Sequence, residues 1–239
     1  MWSKFSNLLS GNCNLKSCTT KVTVMKALIS GIVFVFVFAA SAQHFSEADL
    51  KDLLVRIRQN RITQADFQEQ RMIRLMQKPI VNSGKVLFQP PNKFRREVKG
   101  NSPSLTVSDG HQLWIYYPNF KSAERYSLGK RSPLDSIIAS INAALNLENI
   151  ENTFGITATR TGNGYELELT PRTASMKRAF QKLNLRINES LQVERTDMLQ
   201  PNGDRIVTIY SNQSRAPVPP STFEFRPPPG TDVTTPLGQ

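Results

Sequence analysis

The sequence has 239 residues and a formal net charge of +11, with 39% hydrophobic and 21% charged residues. This length is ample for one domain with a sizeable core but short for two domains joined by linkers, so we expect a single domain. The basic residues are dispersed singly, without a basic run or interleaved aromatic residues, which argues against nucleic acid as a partner.

Residues 1–42 differ from the rest of the chain and are typical of a leader followed by a secretory signal peptide. An apolar run at residues 27–38 follows Met25 and Lys26, and it is too short to span a bilayer. The small-x-small triplet at residues 40–42 is typical of a cleavage site, so residues 43–239 would form the mature domain. The alternative is an amino-terminal anchor that stays attached. Met25 is a possible true start, because a complete signal peptide begins there.

Cleavage would also remove both cysteines and four lysines. Cys13 and Cys18 lie in the leader, so the mature chain would have neither a disulfide nor a thiolate site. Position 43 is Gln, so lipid attachment at a cysteine is not expected there. Loss of the lysines lowers the net charge from +11 to +7. A basic surface outside the cytoplasmic membrane suits anionic headgroups or an acidic partner, although a merely solvated surface explains it equally well.

One amphipathic helix is predicted before a long series of short strands. Ser46 and Asp49 have the spacing of a capping box, and apolar residues follow at helical spacing, which predicts a helix over residues 47–58. From Thr63 onward, β-rich segments alternate with Gly, Pro, Asn and Asp, which is typical of an antiparallel meander. The clearest predicted strands are residues 86–88, 94–98, 105–107, 113–117, 121–128, 156–160, 165–170, 182–187, 191–199, 205–210 and 223–225.

A second predicted helix interrupts these strands. Ser132 is its expected cap and Pro133 its first residue. Its apolar stripe consists of Leu134, Ile137, Ile138, Ile141 and Leu145. A single sheet of about 10–11 strands buries at most one face unless it closes, splits or curls. We therefore expect a mostly β fold with helices (α+β), in which the helices cover the concave face of a curled sheet and an apolar ligand cavity lies inside.

Residues 43–239 lack the patterns that catalysis and metal binding require. His44 and His111 do not have metal-ligand spacing. Ser108, Asp109 and His111 are the residue types of a catalytic triad, but they lie side by side at a tight turn without a nucleophile elbow. A phosphate-binding glycine loop and an acidic pair suited to catalysis are also missing from the sequence. We therefore expect no enzyme, no metal site and no cofactor.

Four segments in order resemble the LolA-type outer-membrane lipoprotein carriers. They are residues 65–70 (Ala-Asp-Phe-Gln-Glu-Gln), 91–95 (Pro-Asn-Lys-Phe-Arg), 107–118 (with Val-Ser-Asp-Gly and Leu-Trp-Ile-Tyr) and 223–233 (with Phe-Glu-Phe-Arg-Pro-Pro-Pro-Gly). The resemblance covers residues 45–233. It implies an incomplete antiparallel β-barrel with a helical lid over an apolar cavity. It also implies a monomeric periplasmic carrier that takes lipoproteins from an inner-membrane ABC transporter to an outer-membrane acceptor.

The sequence departs from this family at one position that bears on the lid. Pro90 stands where the family usually has an Arg that is thought to tie the lid to the barrel. We therefore expect Arg96, on the same face as Phe94, to be a substitute latch. The lid itself would be the second predicted helix.

A carrier of this kind has to enclose acyl chains, because exposing a chain of ~16 carbons to water costs on the order of 12 kcal/mol. Strand alternation predicts a lipid-binding wall, here called the predicted wall, of Phe67, Val86, Phe88, Phe94, Leu105, Val107, Leu113, Ile115, Leu183 and Leu185. The alternative is that these residues fill a packed core. Rival functions are a periplasmic lipid-sensing or regulatory domain of the same fold, a glycolipid carrier, and a lipid hydrolase.

Overall fold

The computed structural model describes residues 45–128, 147 and 150–236. The helices are α1 (Glu47–Gln59), α2 (Ile150–Thr153) and α3 (Ala174–Ala179). The strands are β1 (Gln64–Met72), β2 (Ile80–Gln89), β3 (Lys93–Lys99), β4 (Ser104–Ser108), β5 (Gln112–Tyr117), β6 (Ser122–Ser127), β7 (Phe154–Thr161), β8 (Gly164–Pro171), β9 (Lys182–Asn188), β10 (Val193–Leu199), β11 (Arg205–Ser214) and β12 (Asp232–Thr234).

Helix α1 begins at Glu47 as its sequence predicts and ends at Gln59, one residue after the predicted end. The Asp49 amide donates to Ser46 Oγ at 3.1 Å, and the Ser46 amide donates to Asp49 Oδ2 at 3.1 Å, which confirms the capping box. Leu53, Leu54 and Ile57 are buried on one side of the helix. The helix therefore packs on the sheet through the stripe that its spacing predicted.

The twelve strands form one sheet in the order β12-β6-β5-β4-β3-β2-β1-β11-β10-β9-β8-β7. Neighbouring strands are antiparallel except β12 and β6, which are parallel. The sheet does not close, because β12 and β7 lie at its two edges. The expected mostly β fold with a large unclosed antiparallel sheet is confirmed, with twelve strands in the described part of the chain compared with the about 10–11 expected.

The carboxyl-terminal part differs from the prediction. Residues 223–225 are not a strand, since a 3₁₀ turn at Pro220–Phe223 precedes an irregular stretch. Prolines at 219–220 and 227–229 lack the amide hydrogen that a sheet ladder needs, so pairing resumes only at β12. Helix α3 was not predicted, because its six residues are too few to show a helical period.

The second predicted helix, with Leu134, Ile137, Ile138, Ile141 and Leu145, lies outside the described residues. None of the helices in the described ranges has the length and apolar character that crossing a bilayer requires.

Candidate binding site on the inner face of the sheet

The register of the strands divides their side chains between two faces, because directly paired residues in an antiparallel sheet point to the same side. We call the face that packs against Leu53, Leu54 and Ile57 of α1 the inner face. Eight residues of the predicted wall lie on it and are here called the inner wall: Phe67, Val86, Phe88, Phe94, Leu113, Ile115, Leu183 and Leu185.

Pairing across the sheet places Phe88, Phe94 and Leu113 on the same face, with the buried Ser108 between the last two. Phe88 pairs with Phe94, Phe94 pairs with Ser108, and Ser108 pairs with Leu113. Phe88, Phe94 and Leu113 are all buried in one apolar cluster. Side chains from distant parts of the sequence therefore form a single apolar surface.

Leu105 and Val107 lie on the opposite, outer face, so they do not belong to the inner wall. Leu105 pairs with Tyr116, and Val107 pairs with Trp114. The Phe225 ring packs against both aromatic residues, with centroids 5.7 Å from Trp114 and 5.5 Å from Tyr116. Alternation along β4 puts Leu105 and Val107 on one side, but it does not determine which side this is relative to β5.

The inner wall is largely covered by side chains of the protein itself. Phe67, Phe88 and Phe94 are buried together with the apolar residues of α1. Ile115 is only partly buried and packs at the margin of this cluster. An acyl chain that lies along the inner wall therefore has to replace some of these internal contacts.

An ion pair lies on the inner face next to the apolar wall. Arg96 Nη2 donates to Glu69 Oε2 at 2.7 Å, and the guanidinium lies 4.4 Å from the centroid of the Phe67 ring. Arg96 belongs to β3 and Glu69 to β1, so the pair reaches across β2. Among the described residues, Arg96 is thus paired with Glu69, a residue of the same sheet. Tyr210 lies beside this pair, and burial raises the pKa of its hydroxyl.

A second polar group on the inner face belongs to β6. The Tyr126 hydroxyl donates to Glu124 Oε2. Burial, together with this hydrogen bond and the charge of Glu124, raises the pKa of Tyr126 to about 12. Burial and Glu124 also raise the pKa of Tyr117. Both phenols therefore stay protonated at neutral pH and can act as hydrogen-bond donors.

Arg58 connects α1 to the chain that follows the second predicted helix, and sequence reasoning did not find this contact. Its Nε donates to the Leu147 carbonyl oxygen at 2.9 Å, and its Nη2 pairs with Glu151 Oε1 at 2.6 Å. The Leu147 side chain is fully buried. Arg58 thus fixes the position of the residue two places after Leu145. The only local feature that could have indicated this contact is a basic residue in the last turn of a helix. Such residues are common in helices, so this feature is not specific.

The polar groups of the turn that contains Ser108, Asp109 and His111 form hydrogen bonds that hold the turn itself. Ser108 Oγ donates to the Asn92 carbonyl oxygen at 3.0 Å and accepts from the Gly110 amide at 3.2 Å. Asp109 Oδ1 accepts from the His111 amide at 2.7 Å. These contacts close a hairpin turn. Within the described ranges, there is also no cluster of three or more His, Cys, Asp or Glu that could hold a metal ion.

A separate groove of about 410 Å³ lies on the outer face of β7 to β10. Charged side chains, among them Glu166, Glu168, Arg186 and Asp197, contribute to its lining. Several of them are already paired, for example Glu168 with Lys182 at 2.6 Å. This groove suits polar contacts rather than an acyl chain.

An open antiparallel sheet with a largely apolar inner face defines the class of protein, a β-sheet scaffold with one buried apolar face. The sequence profile of the family described as outer membrane lipoprotein carrier protein LolA matches residues 58–226. The chain belongs to this family.

Curated relatives carry the same description. An outer-membrane lipoprotein carrier protein of Coxiella burnetii (strain CbuK_Q154) is 25% identical over 218 residues, which cover 89% of this chain and 99% of that protein. A protein of the same name from Chromobacterium violaceum is 30% identical over 154 residues, covering 64% of this chain and 72% of that protein. Among solved structures, a LolA superfamily protein from Nitrosomonas europaea aligns with 73% of this chain and 97% of its own at 14% identity and a TM-score of 0.43.

Proposed function

We propose that this chain is a periplasmic carrier that encloses the acyl chains of lipoproteins against the inner face of its sheet. The observation that carries the proposal is the inner wall, whose residues come from β1, β2, β3, β5 and β9 and belong to one apolar cluster. Family membership and relatives named as lipoprotein carriers support it. A carrier function needs neither a catalytic group nor a cofactor.

Loading replaces internal contacts with contacts to the cargo. Each acyl methylene removed from water contributes about 0.8 kcal/mol, so several methylenes offset the separation of one buried side chain from its neighbours. We place the entry under the second predicted helix as a lid, formed by the apolar stripe Leu134, Ile137, Ile138, Ile141 and Leu145. Arg96 is our candidate latch for this lid, and Arg58 anchors the chain that follows it.

The proposed route includes export and two partners. Cleavage after residue 42 would release residues 43–239 into the periplasm as a monomer. The carrier would receive lipoproteins from an inner-membrane ABC transporter and deliver them to an outer-membrane acceptor. Sequencing the amino terminus of the exported protein should give Gln43. Retention of the apolar run at residues 27–38 would contradict the processing step.

Two partly buried residues on paired strands provide a matched test of the binding face. Ile115 lies on the inner face and Leu105 on the outer face. Ile115→Gln should weaken binding of a fluorescent diacyl lipopeptide severalfold, because cargo would cover the exposed part of Ile115 and so contribute only part of the about 1.5–3 kcal/mol that full burial of an aliphatic side chain is worth. Leu105→Gln should leave binding unchanged, with both variants folded by circular dichroism.

Equal binding by the two variants would contradict the proposed face. The class of cargo is determined in a separate experiment, by native mass spectrometry of the protein purified from its own host. Co-purified lipoprotein supports the proposal. Co-purified glycolipid in its place would show a carrier for another lipid class.

A further inference from the structure

The hairpin that joins β1 to β2 exposes apolar side chains at its tip. Leu75 is 94% exposed and Met76 51%, and the adjoining strand residues Val81 and Ile80 are 55% and 38% exposed. The Met76 amide donates to the Ile73 carbonyl oxygen at 2.9 Å, so the tip is an ordered turn. Exposed apolar groups concentrated at a projecting turn indicate a surface that meets another apolar phase.

The same hairpin is strongly basic. Arg71, Arg74 and Lys78 lie between residues 70 and 81, and this stretch contains no acidic residue. Within the described ranges, none of these three side chains takes part in an ion pair. The Arg74 backbone amide donates to Asp204 Oδ1 at 2.9 Å, which holds the hairpin against the β10–β11 turn and leaves the Arg74 guanidinium available.

A second turn at this end of the sheet has the same character. The strands alternate in direction, so the β1–β2, β3–β4 and β5–β6 turns all lie at one end. The β5–β6 turn exposes Phe120 to 78% and is followed by Lys121. Asn119 Nδ2 donates to the Asn101 carbonyl oxygen at 3.2 Å, which connects this turn to the β3–β4 turn. We call the turns 73–79, 100–103 and 118–121 the hairpin end.

We propose that the hairpin end docks on the surface of an anionic phospholipid bilayer, with Leu75 and Met76 entering the acyl region. Cations beside an apolar tip match the two layers of such a surface, since phosphates lie outside and hydrocarbon lies beneath them. The tip projects and is not a groove, so it suits insertion into lipid better than capture of a partner segment. The proposal goes beyond the carrier function and holds whatever cargo the inner wall takes.

Vesicle flotation with the exported protein tests the proposal. The vesicles contain either phosphatidylcholine alone or equal amounts of phosphatidylcholine and phosphatidylglycerol. Wild type should float with the anionic vesicles and not with the neutral ones, and salt raised to about 1 M should reduce flotation by screening the cations. Leu75→Gln combined with Met76→Gln should reduce binding at least tenfold without changing the net charge.

Ile209→Gln is the matched control, because Ile209 is 46% exposed on the outer face of β11, away from the hairpin end. It should bind anionic vesicles as wild type does. Arg74→Gln combined with Lys78→Gln should weaken binding to anionic vesicles and flatten its salt dependence. All variants should keep the melting temperature of the wild type, since the altered side chains are exposed.

Three outcomes overturn the proposal. Wild type could fail to float with anionic vesicles, or the Leu75 and Met76 variant could float as well as the Ile209 control. Alternatively, wild type could bind native membranes but not protein-free vesicles, which would assign the hairpin end to a membrane protein.

Discussion

The ion pair between Glu69 and Arg96 gives a quantitative test of how a charge is held beside the apolar wall. Replacing Glu69 with Leu leaves the Arg96 guanidinium without its carboxylate in a mostly apolar setting. Breaking a fully buried pair costs about 3–5 kcal/mol. Here the side chains of Arg96 and Glu69 are 25% and 14% exposed, so water recovers part of this loss. We expect Glu69→Leu to destabilise the protein by about 2 kcal/mol.

The double variant separates the loss of the pair from the loss of side-chain volume. With Glu69→Leu and Arg96→Met together, no charge remains on this part of the inner face. We expect the double variant to differ from wild type by about 1 kcal/mol or less, because apolar residues of similar size often replace a buried pair without cost. The contact of Arg96 with Phe67 contributes about 0.5–1 kcal/mol of what is lost.

Urea unfolding of wild type, both single variants and the double variant provides the measurement. In thermal unfolding, the single variant Glu69→Leu should melt about 4–8 °C below wild type, since about 1 kcal/mol shifts the midpoint by about 2–4 °C in a domain of this size. A coupling energy within about 0.5 kcal/mol of zero would refute the reasoning. It would mean that solvent, and not Glu69, compensates the charge of Arg96.

Three further outcomes are expected. Gly84→Ala should destabilise the protein by at least about 3 kcal/mol, because the new Cβ would lie 1.8 Å from a carbonyl oxygen of β3, whereas the control Gly155→Ala meets nothing closer than 3.8 Å. Since the pKa of Tyr126 is raised to about 12, its contribution to stability is lost as the pH rises from 10 toward that value, and Tyr126→Phe should remove this dependence in alkaline urea titrations. The hydrogen bond from Arg205 holds the pKa of Asp197 below 3.8, so stability should fall as the pH drops through the lowered pKa, and the advantage of wild type over Asp197→Asn should shrink there.

Local chemistry in the sequence determined most of the secondary structure. The capping box at Ser46 and the apolar spacing that follows it determine α1, because a helix start depends on side chains three residues apart. Turn residues and alternation similarly located most of the strands from β2 to β11, whereas only the family resemblance indicated the segment of β1. The two errors in the predicted secondary structure also have local causes. Helix α3 is too short to show a period, and the prolines around residues 223–225 outweighed their strand-like pattern.

Only the tertiary structure decided which side chains share a face and which distant residues meet. Alternation fixes the relation between residues within one strand, but the register across each turn sets the relation between strands, and it placed Leu105 on the outer face and Ile115 on the inner face. Arg58 contacts Leu147 and Glu151 across separations of 89 and 93 residues, which no local pattern encodes. Contacts of this kind form only when the folded sheet brings remote parts of the chain together.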